Sequence, residues 1–387
     1  MTASRILTTH AGSLPRPDRL LEANRRRVAG EIDDAELDGV LRDAVAEVVA
    51  RETEIGIDVV NDGEFGKLTT AEVDYGPWMT YAYGRLAGWS HTDVPPFTLS
   101  MRDNDRFADF YATEVFPALA SGGSTERAMT ATFTGAVSYT GQQAIARDLD
   151  NLRAATTAAG SADAFVSSIA PASIARGIDP HYASREEFLF AVAEALHEEY
   201  RAIVEAGFVL QIDDPSISDG WGIAPPEVTI DAYLEGVRLS LAAANHALEG
   251  LPRERTRFHC CWGSWHGPHT TDIPLADFVD LLVEVNVGAF SVEASNVRHE
   301  LDWQVWKGID VPDGLTLIPG VVSHATNLIE TPELVAERIA RYAEVVGREH
   351  VMAGTDCGLG GRIHPELAWA KLEALVEGAR LATERLW

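Results

Sequence analysis

The sequence predicts an α/β fold, a (β/α)8 TIM barrel with an aromatic-rich insertion after its second strand. Short β-branched or apolar runs recur along the chain, each followed by a polar or glycine-rich turn and then a helical stretch, the pattern of parallel βα units. Its 387 residues exceed the roughly 250 of an ordinary barrel, and the excess suits insertions. Chemically capable side chains fall at the ends of the runs, where such a barrel gathers its active site.

Candidate strands in chain order are 6–14, 57–65, 131–141, 164–173, 208–215, 257–261, 289–293, 315–323 and 351–356. These are nine, one more than the barrel takes. The run 131–141 is set aside because an irregular region precedes it, where a crossover helix would be needed. Helices are expected over 33–54, 185–206, 230–248, 275–284, 332–346 and 366–386. Pro332 directly after Thr331 marks a helix start. The region 75–123 carries Tyr75, Trp78, Tyr81, Tyr83, Trp89, Phe97, Phe107, Phe110 and Tyr111. A loop of that length is either a lid over the barrel or a surface insertion packing on itself. No internal repeat or linker divides the chain, so one barrel is expected over 1–387, with the insertion at about 75–141.

Composition narrows the function classes. Hydrophobic residues make up 46% and charged residues 23%, which is globular rather than disordered. A formal charge of −28 repels nucleic acid and anionic lipid, and the densest basic run, Arg25-Arg26-Arg27, is too short to offset it. No apolar run reaches the ~20 residues of a membrane span, and residues 1–14 lack a signal-peptide core. A cytoplasmic protein is expected, with no nucleic-acid or membrane partner. Three cysteines do not make a disulfide framework, so the question is whether they serve as metal ligands.

Ser13, Glu64, Asp213, Asp214, His259, Cys261, Glu293, His324 and Cys357 stand at the strand ends. In His259-x-Cys261 the period of a strand points both side chains to one side. Cys357 and Glu293, at other strand ends, would complete four ligands. Two thiolates, an imidazole and a carboxylate suit tetrahedral Zn²⁺, with Zn–S near ~2.3 Å. Cys260 should face the other way, as a buried small hydrophobe. His266-x-x-His269 lies in a Gly/Pro loop and is set aside.

The motifs Ala11-Gly12-Ser13-Leu14-Pro15, Asp62-Gly63-Glu64, Leu210-Gln211-Ile212-Asp213-Asp214-Pro215, His259-Cys260-Cys261, Ser291-Val292-Glu293, Pro319-Gly320-Val321 and Thr355-Asp356-Cys357-Gly358-Leu359 follow one another along almost the whole chain. In this set and order the chain resembles the catalytic half of cobalamin-independent methionine synthase, in the superfamily that also holds uroporphyrinogen decarboxylase. The resemblance implies a short, single-barrel form. It implies that His259, Cys261, Glu293 and Cys357 hold zinc. It also implies that Ser13, Glu64 and Asp213 hold the amino acid end of homocysteine.

The activity so implied is zinc-dependent methyl transfer to a thiol: homocysteine becomes methionine, with methyltetrahydrofolate or another alkyl donor and no cobalamin prosthetic group. Zinc favours the thiolate form that attacks the alkyl carbon, and an amine leaving group would need a proton, for which His324 is the candidate acid. Two departures stand out. Val322-Ser323-His324 replaces the family's Asp-x-His order. The stretch 168–177 lacks the tryptophan on which the family stacks its pterin, which, with the charge of −28, points away from a polyglutamyl folate. Other readings are an epoxyalkane:coenzyme M-type thiol transferase, a metal-free decarboxylase of the same superfamily, and a zinc-binding barrel without catalysis. Glu64 and Asp213 argue against the sulfonate thiol of the first.

Overall fold

The computed structural model describes residues 4–69, 77–91, 101–115, 131–263 and 267–387. Tyr75, Phe97 and His266 lie outside the described residues. The strands are β1 (Leu7–Thr8), β2 (Val59–Val60), β3 (Leu86–His91), β4 (Ala131–Tyr139), β5 (Asp163–Ile169), β6 (Val209–Asp213), β7 (Thr256–Cys260), β8 (Ala289–Glu293), β9 (Thr316–Val322) and β10 (Met352–Thr355). Eight of them form one parallel sheet in the order β1-β10-β9-β8-β7-β6-β5-β2. The wall closes between β1 and β2, where the Asp58 N–H donates to Thr8 O at 3.1 Å and Thr9 Oγ1 to Val59 O at 3.0 Å. The fold is the (β/α)8 barrel.

The principal helices are α1 (Asp18–Val28), α2 (Asp34–Ile55), α3 (Pro77–Gly84), α4 (Gln142–Ala159), α5 (Arg185–Glu205), α6 (Ser216–Ile223), α7 (Ile230–Ala247), α8 (Pro332–Val346) and α9 (Pro365–Leu386). Their starts are written locally: Asp33, Ser184 and Thr331 each accept a first-turn N–H, of Glu36, Glu187 and Leu334. Each such cap is worth about 1 kcal/mol.

The run 131–141 pairs antiparallel with β3 as a hairpin outside the barrel. Arg85, at the foot of β3, fastens this hairpin to the barrel's helices. Its Nη1 meets Glu199 Oε2 on α5 at 2.9 Å, and its Nη2 pairs with Asp148 on α4. Tyr81 donates to Glu199 Oε1 at 2.6 Å, and Tyr139 donates to Oε2. Burial raises the Glu199 pKa, but Arg85 and the two hydroxyls outweigh it and bring it down to about 2. The Tyr83 and Trp89 rings meet at a tilt, 5.2 Å between centroids, so α3 and β3 pack on each other. The segment 101–111 reaches the stretches that follow β6 and β7 at their carboxyl ends. Arg102 N donates to Gly222 O at 2.8 Å, and Asp103 accepts from Tyr111 Oη at 2.6 Å and from Thr270 Oγ1.

Four expectations need correction. The first two strands are two residues long, and the segments after them bend through positive φ at Gly12, Gly63 and Glu64. The helix expected over 275–284 breaks at Phe278 (φ −134°, ψ 0°) into a 3₁₀ turn, Leu275–Asp277, and a short helix, Val279–Leu282. Helix α4 was not expected, although Ile145, Leu149, Leu152 and Ala155 recur at helical spacing and Gly160 closes it in the left-handed region. Helix α1 was not expected either, and it carries Arg25-Arg26-Arg27 in its last turn, where cations suit the helix dipole.

Candidate metal and thiol-binding site

Ligand atoms of His259, Cys261 and Cys357 lie within 4.8 Å of one another at the carboxyl ends of β7 and β10. The two sulfurs are 3.8 Å apart. His259 Nδ1 is in hydrogen-bond contact with Ser291 Oγ at 3.0 Å, while its Nε2 is buried with no hydrogen-bond partner among the described residues. An unpartnered, buried imidazole nitrogen beside two sulfurs is what a bound metal would satisfy. The donor set, two soft sulfurs and one imidazole, fits zinc. Burial opposes charging His259, but Cys357, Asp213 and Glu293 outweigh it and raise its pKa. Cys357 is pulled well below the usual thiol value by the hydrogen bond it shares with Cys261, with His259 and His324 facing it. Cys260 points away, its Sγ 3.7 Å from Ser218 Oγ, and burial raises its pKa.

Glu293 stands beside this trio and belongs by distance to a second one. Ligand atoms of Glu293, His324 and Asp356 lie within 4.8 Å of one another, all buried. Glu293 Oε1 accepts from the Trp262 N–H at 2.8 Å and Oε2 from Asn296 Nδ2 at 3.0 Å. Burial, with Asp356 and Cys357 nearby, raises its pKa to about 7. Asp356 is held by the N–H groups of Ala294 (2.7 Å) and Ser295 (2.9 Å) and by Ser295 Oγ (2.7 Å). It can come this close because residue 320 is glycine: a Cβ there would lie 2.3 Å from Asp356 Cα.

The proposed thiol-substrate residues surround the same end of the barrel. Asp213 pairs in register with His259, and burial with Glu64 nearby raises its pKa to about 7. Glu64 Oε1 accepts from Ser167 Oγ at 2.6 Å and meets Lys67 Nζ at 3.1 Å. Lys67 Nζ also donates to Ser167 Oγ at 2.8 Å. Gly12 lies against Glu64: at φ +128° it takes a conformation strained for other residues, and a Cβ would fall 2.5 Å from Glu64 Oε1. Ser13 borders the cysteine loop, its carbonyl accepting from Leu359 N (2.9 Å) and Gly360 N (3.0 Å).

Sequence reasoning missed Lys67, Ser167 and Asp356. Lys67 follows Glu64 by three residues in a turn, a spacing at which opposite charges meet, and could have been flagged. His269 binds Asp272 through Nδ1 at 3.1 Å.

A family model described as "Cobalamin-independent synthase, Catalytic domain" matches residues 6–75 and 166–381. The methionine synthase of Saccharolobus islandicus is 27% identical over 384 residues, 98% of this chain and 95% of its own. That of Sulfurisphaera tokodaii is 26% identical over 395 residues, covering 98% and 93%. Among solved structures, a B12-independent methionine synthase from Shewanella sp. W3-18-1, in complex with selenomethionine, superposes with TM-score 0.73 at 23% identity, covering 99% of both chains. A putative vitamin-B12 independent methionine synthase from Listeria monocytogenes gives TM-score 0.68 at 19% identity, covering 97% of this chain and 98% of its own, which again supports the fold. With its barrel, its motifs in order and the family model covering most of its length, the chain belongs to the cobalamin-independent methionine synthase family, in the catalytic domain.

Proposed function

We propose that the protein is a zinc-dependent methyltransferase that methylates homocysteine to methionine without cobalamin. The observation that carries the reading is the juxtaposition of the His259–Cys261–Cys357 trio with Asp213, the strand-end acid paired in register with His259. His259, Cys261 and Cys357 would hold the metal. Glu293 is assigned as the fourth ligand, since it ends β8, the strand paired with β7 beside the trio. When bound, Zn²⁺ supplies the Lewis acidity that favours a deprotonated thiol near neutral pH.

The chain's own residues do the rest. Asp213 and Glu64 receive the substrate ammonium, and Lys67 with Ser167 holds Glu64 in place through one oxygen. Ser13 and the turn amides beside Gly12 receive the carboxylate. His324 delivers a proton to an amine leaving group, and Asp356, within 4.8 Å of it, is the carboxylate that would orient its ring. The donor is a methyl carrier, and the lack of an aromatic residue in 168–177 favours one other than a polyglutamyl folate.

Calorimetry on the zinc-loaded protein tests the acceptor. Homocysteine should bind, and coenzyme M, whose sulfonate faces two carboxylates, should bind far more weakly. Tighter binding of coenzyme M would reverse the assignment.

A further inference from the structure

Below the metal trio, the barrel interior holds a buried polar layer that neither the metal nor the thiol reading uses. Gln211 and Arg257, both fully enclosed, sit on β6 and β7. The Gln211 amide donates to Ala11 O and to Asp213 Oδ1, each at 2.7 Å. Its orientation is decided by Arg257, whose Nε donates to Gln211 Oε1 at 2.8 Å and so turns the amide nitrogen toward Asp213. Arg257 further donates to Thr9 Oγ1 at 3.1 Å and to His10 O at 3.0 Å, and lies 3.6 Å from the centre of the Phe165 ring.

The layer therefore touches both halves of the proposed head-group receptor. Gln211 occupies Asp213 Oδ1, and among the described residues no hydrogen bond is made to Oδ2. The same amide and the same guanidinium hold Thr9, His10 and Ala11, the residues that lead into the Gly12–Ser13 turn. Gln211 and Asp213 are two apart on one strand, so they share the interior face, and a side chain of glutamine's length spans from there to β1.

We propose that Gln211, held by Arg257, is the positioning residue that makes the receptor selective for an α-amino acid thiol, by fixing the spacing between Asp213 and the Gly12–Ser13 turn. This rests on the reading in which Asp213 takes the substrate ammonium. Selectivity follows from geometry: an ammonium and a carboxylate on one carbon are a fixed distance apart, and an acid that drifts relative to the turn meets one of them only.

The test is calorimetry on the zinc-loaded protein with homocysteine and with 4-mercaptobutanoate, the same thiol without its amino group. Wild type should prefer homocysteine. Gln211→Met should weaken homocysteine about tenfold, the effect of losing a buried hydrogen bond to a charged group, while 4-mercaptobutanoate changes less than about threefold. Gln211→Glu keeps the shape and gives Arg257 a charged partner, so it tests the same point should the methionine variant fail to fold. It sets a second carboxyl against Asp213 in place of the amide donor, so the two share a proton and Asp213 no longer stands as a fixed anion, and the same loss is expected. Equal weakening of both thiols, or unchanged homocysteine binding in Gln211→Glu, would overturn the proposal. Asp213→Asn separates the two levels. If it abolishes the preference and neither Gln211 variant does, the positioning role alone fails; if it leaves the preference intact, the head-group reading and this inference fall together.

Discussion

The sulfurs of Cys261 and Cys357 stand 3.8 Å apart although 96 residues separate them in the chain. One follows β7 and the other β10, and the barrel's closure brings those strand ends to a common mouth. Two thiolates at that distance would repel, so the pair shares a proton in a hydrogen bond between the sulfurs, with His259 and His324 facing Cys357. A metal would take the place of the shared proton. Zinc analysis of Cys261→Ser and Cys357→Ser should show most of the metal lost, and Cys260→Ser should retain it, because its sulfur lies against Ser218. Wild-type zinc in both of the first two variants would dismiss the ligand set.

His324 is buried with Glu293 and Asp356 beside the trio. A group that acts on the leaving atom contributes in the transition state and not to thiol binding. His324→Ala should therefore lower kcat by about 10²-fold with a folate donor, the usual scale of general acid catalysis, with homocysteine affinity unchanged. Stopped turnover assays paired with calorimetry check both halves. Full turnover in the variant would take His324 out of the reaction.

Gly12 is pinned by conformation and by contact at once. With φ at +128° and a Cβ position 2.5 Å from Glu64 Oε1, Gly12→Ala forces the turn, the carboxylate or both to move. Homocysteine affinity should fall at least about tenfold, and the fold should lose about 1–3 kcal/mol by denaturant titration. Unaltered affinity would show that the turn does not border the substrate.

Glu199 gives the hairpin's attachment a pH dependence. Its carboxyl lies at about 2 in the folded protein, below the ordinary 4.5, because Arg85, Tyr81 and Tyr139 outweigh its burial. The stabilisation is present above pH 4.5 and is lost as pH falls through about 2. A shift of this size corresponds to about 3 kcal/mol. Denaturant titrations of wild type and Glu199→Gln should show a gap in stability at pH 7 that narrows by that order toward pH 2. A gap independent of pH would contradict the assignment.

What could be read from the sequence was whatever a strand carries at its own end. Ser13, Glu64, Asp213, His259, Cys261, Glu293, His324 and Cys357 each follow an apolar run, and the barrel's rule places such residues on one face. What could not be read depends on register. Asp356 reaches His324 because Thr355 pairs with Val322 across β10 and β9, and Glu293 lies level with Gly320. Nothing in either stretch alone announces those pairings. Arg257 within the strand Thr256–Cys260 was a usable signal, since an arginine inside a buried strand must find partners, but which partners it finds is a property of the closed barrel. Helix α4 carries a signal in its own spacing, Ile145, Leu149, Leu152 and Ala155, but no side-chain cap marks its start at Gly141.

The measurement closest to the central claim is methionine formation. Zinc-loaded protein is incubated with homocysteine and, in turn, methyltetrahydrofolate, its triglutamyl form and methylcobalamin, each labelled in the transferred methyl group. The account predicts labelled methionine from at least one donor, lost on chelation of the metal and in Cys357→Ser. Labelled methionine formed equally well by metal-free protein, or none from any of the donors, would contradict it.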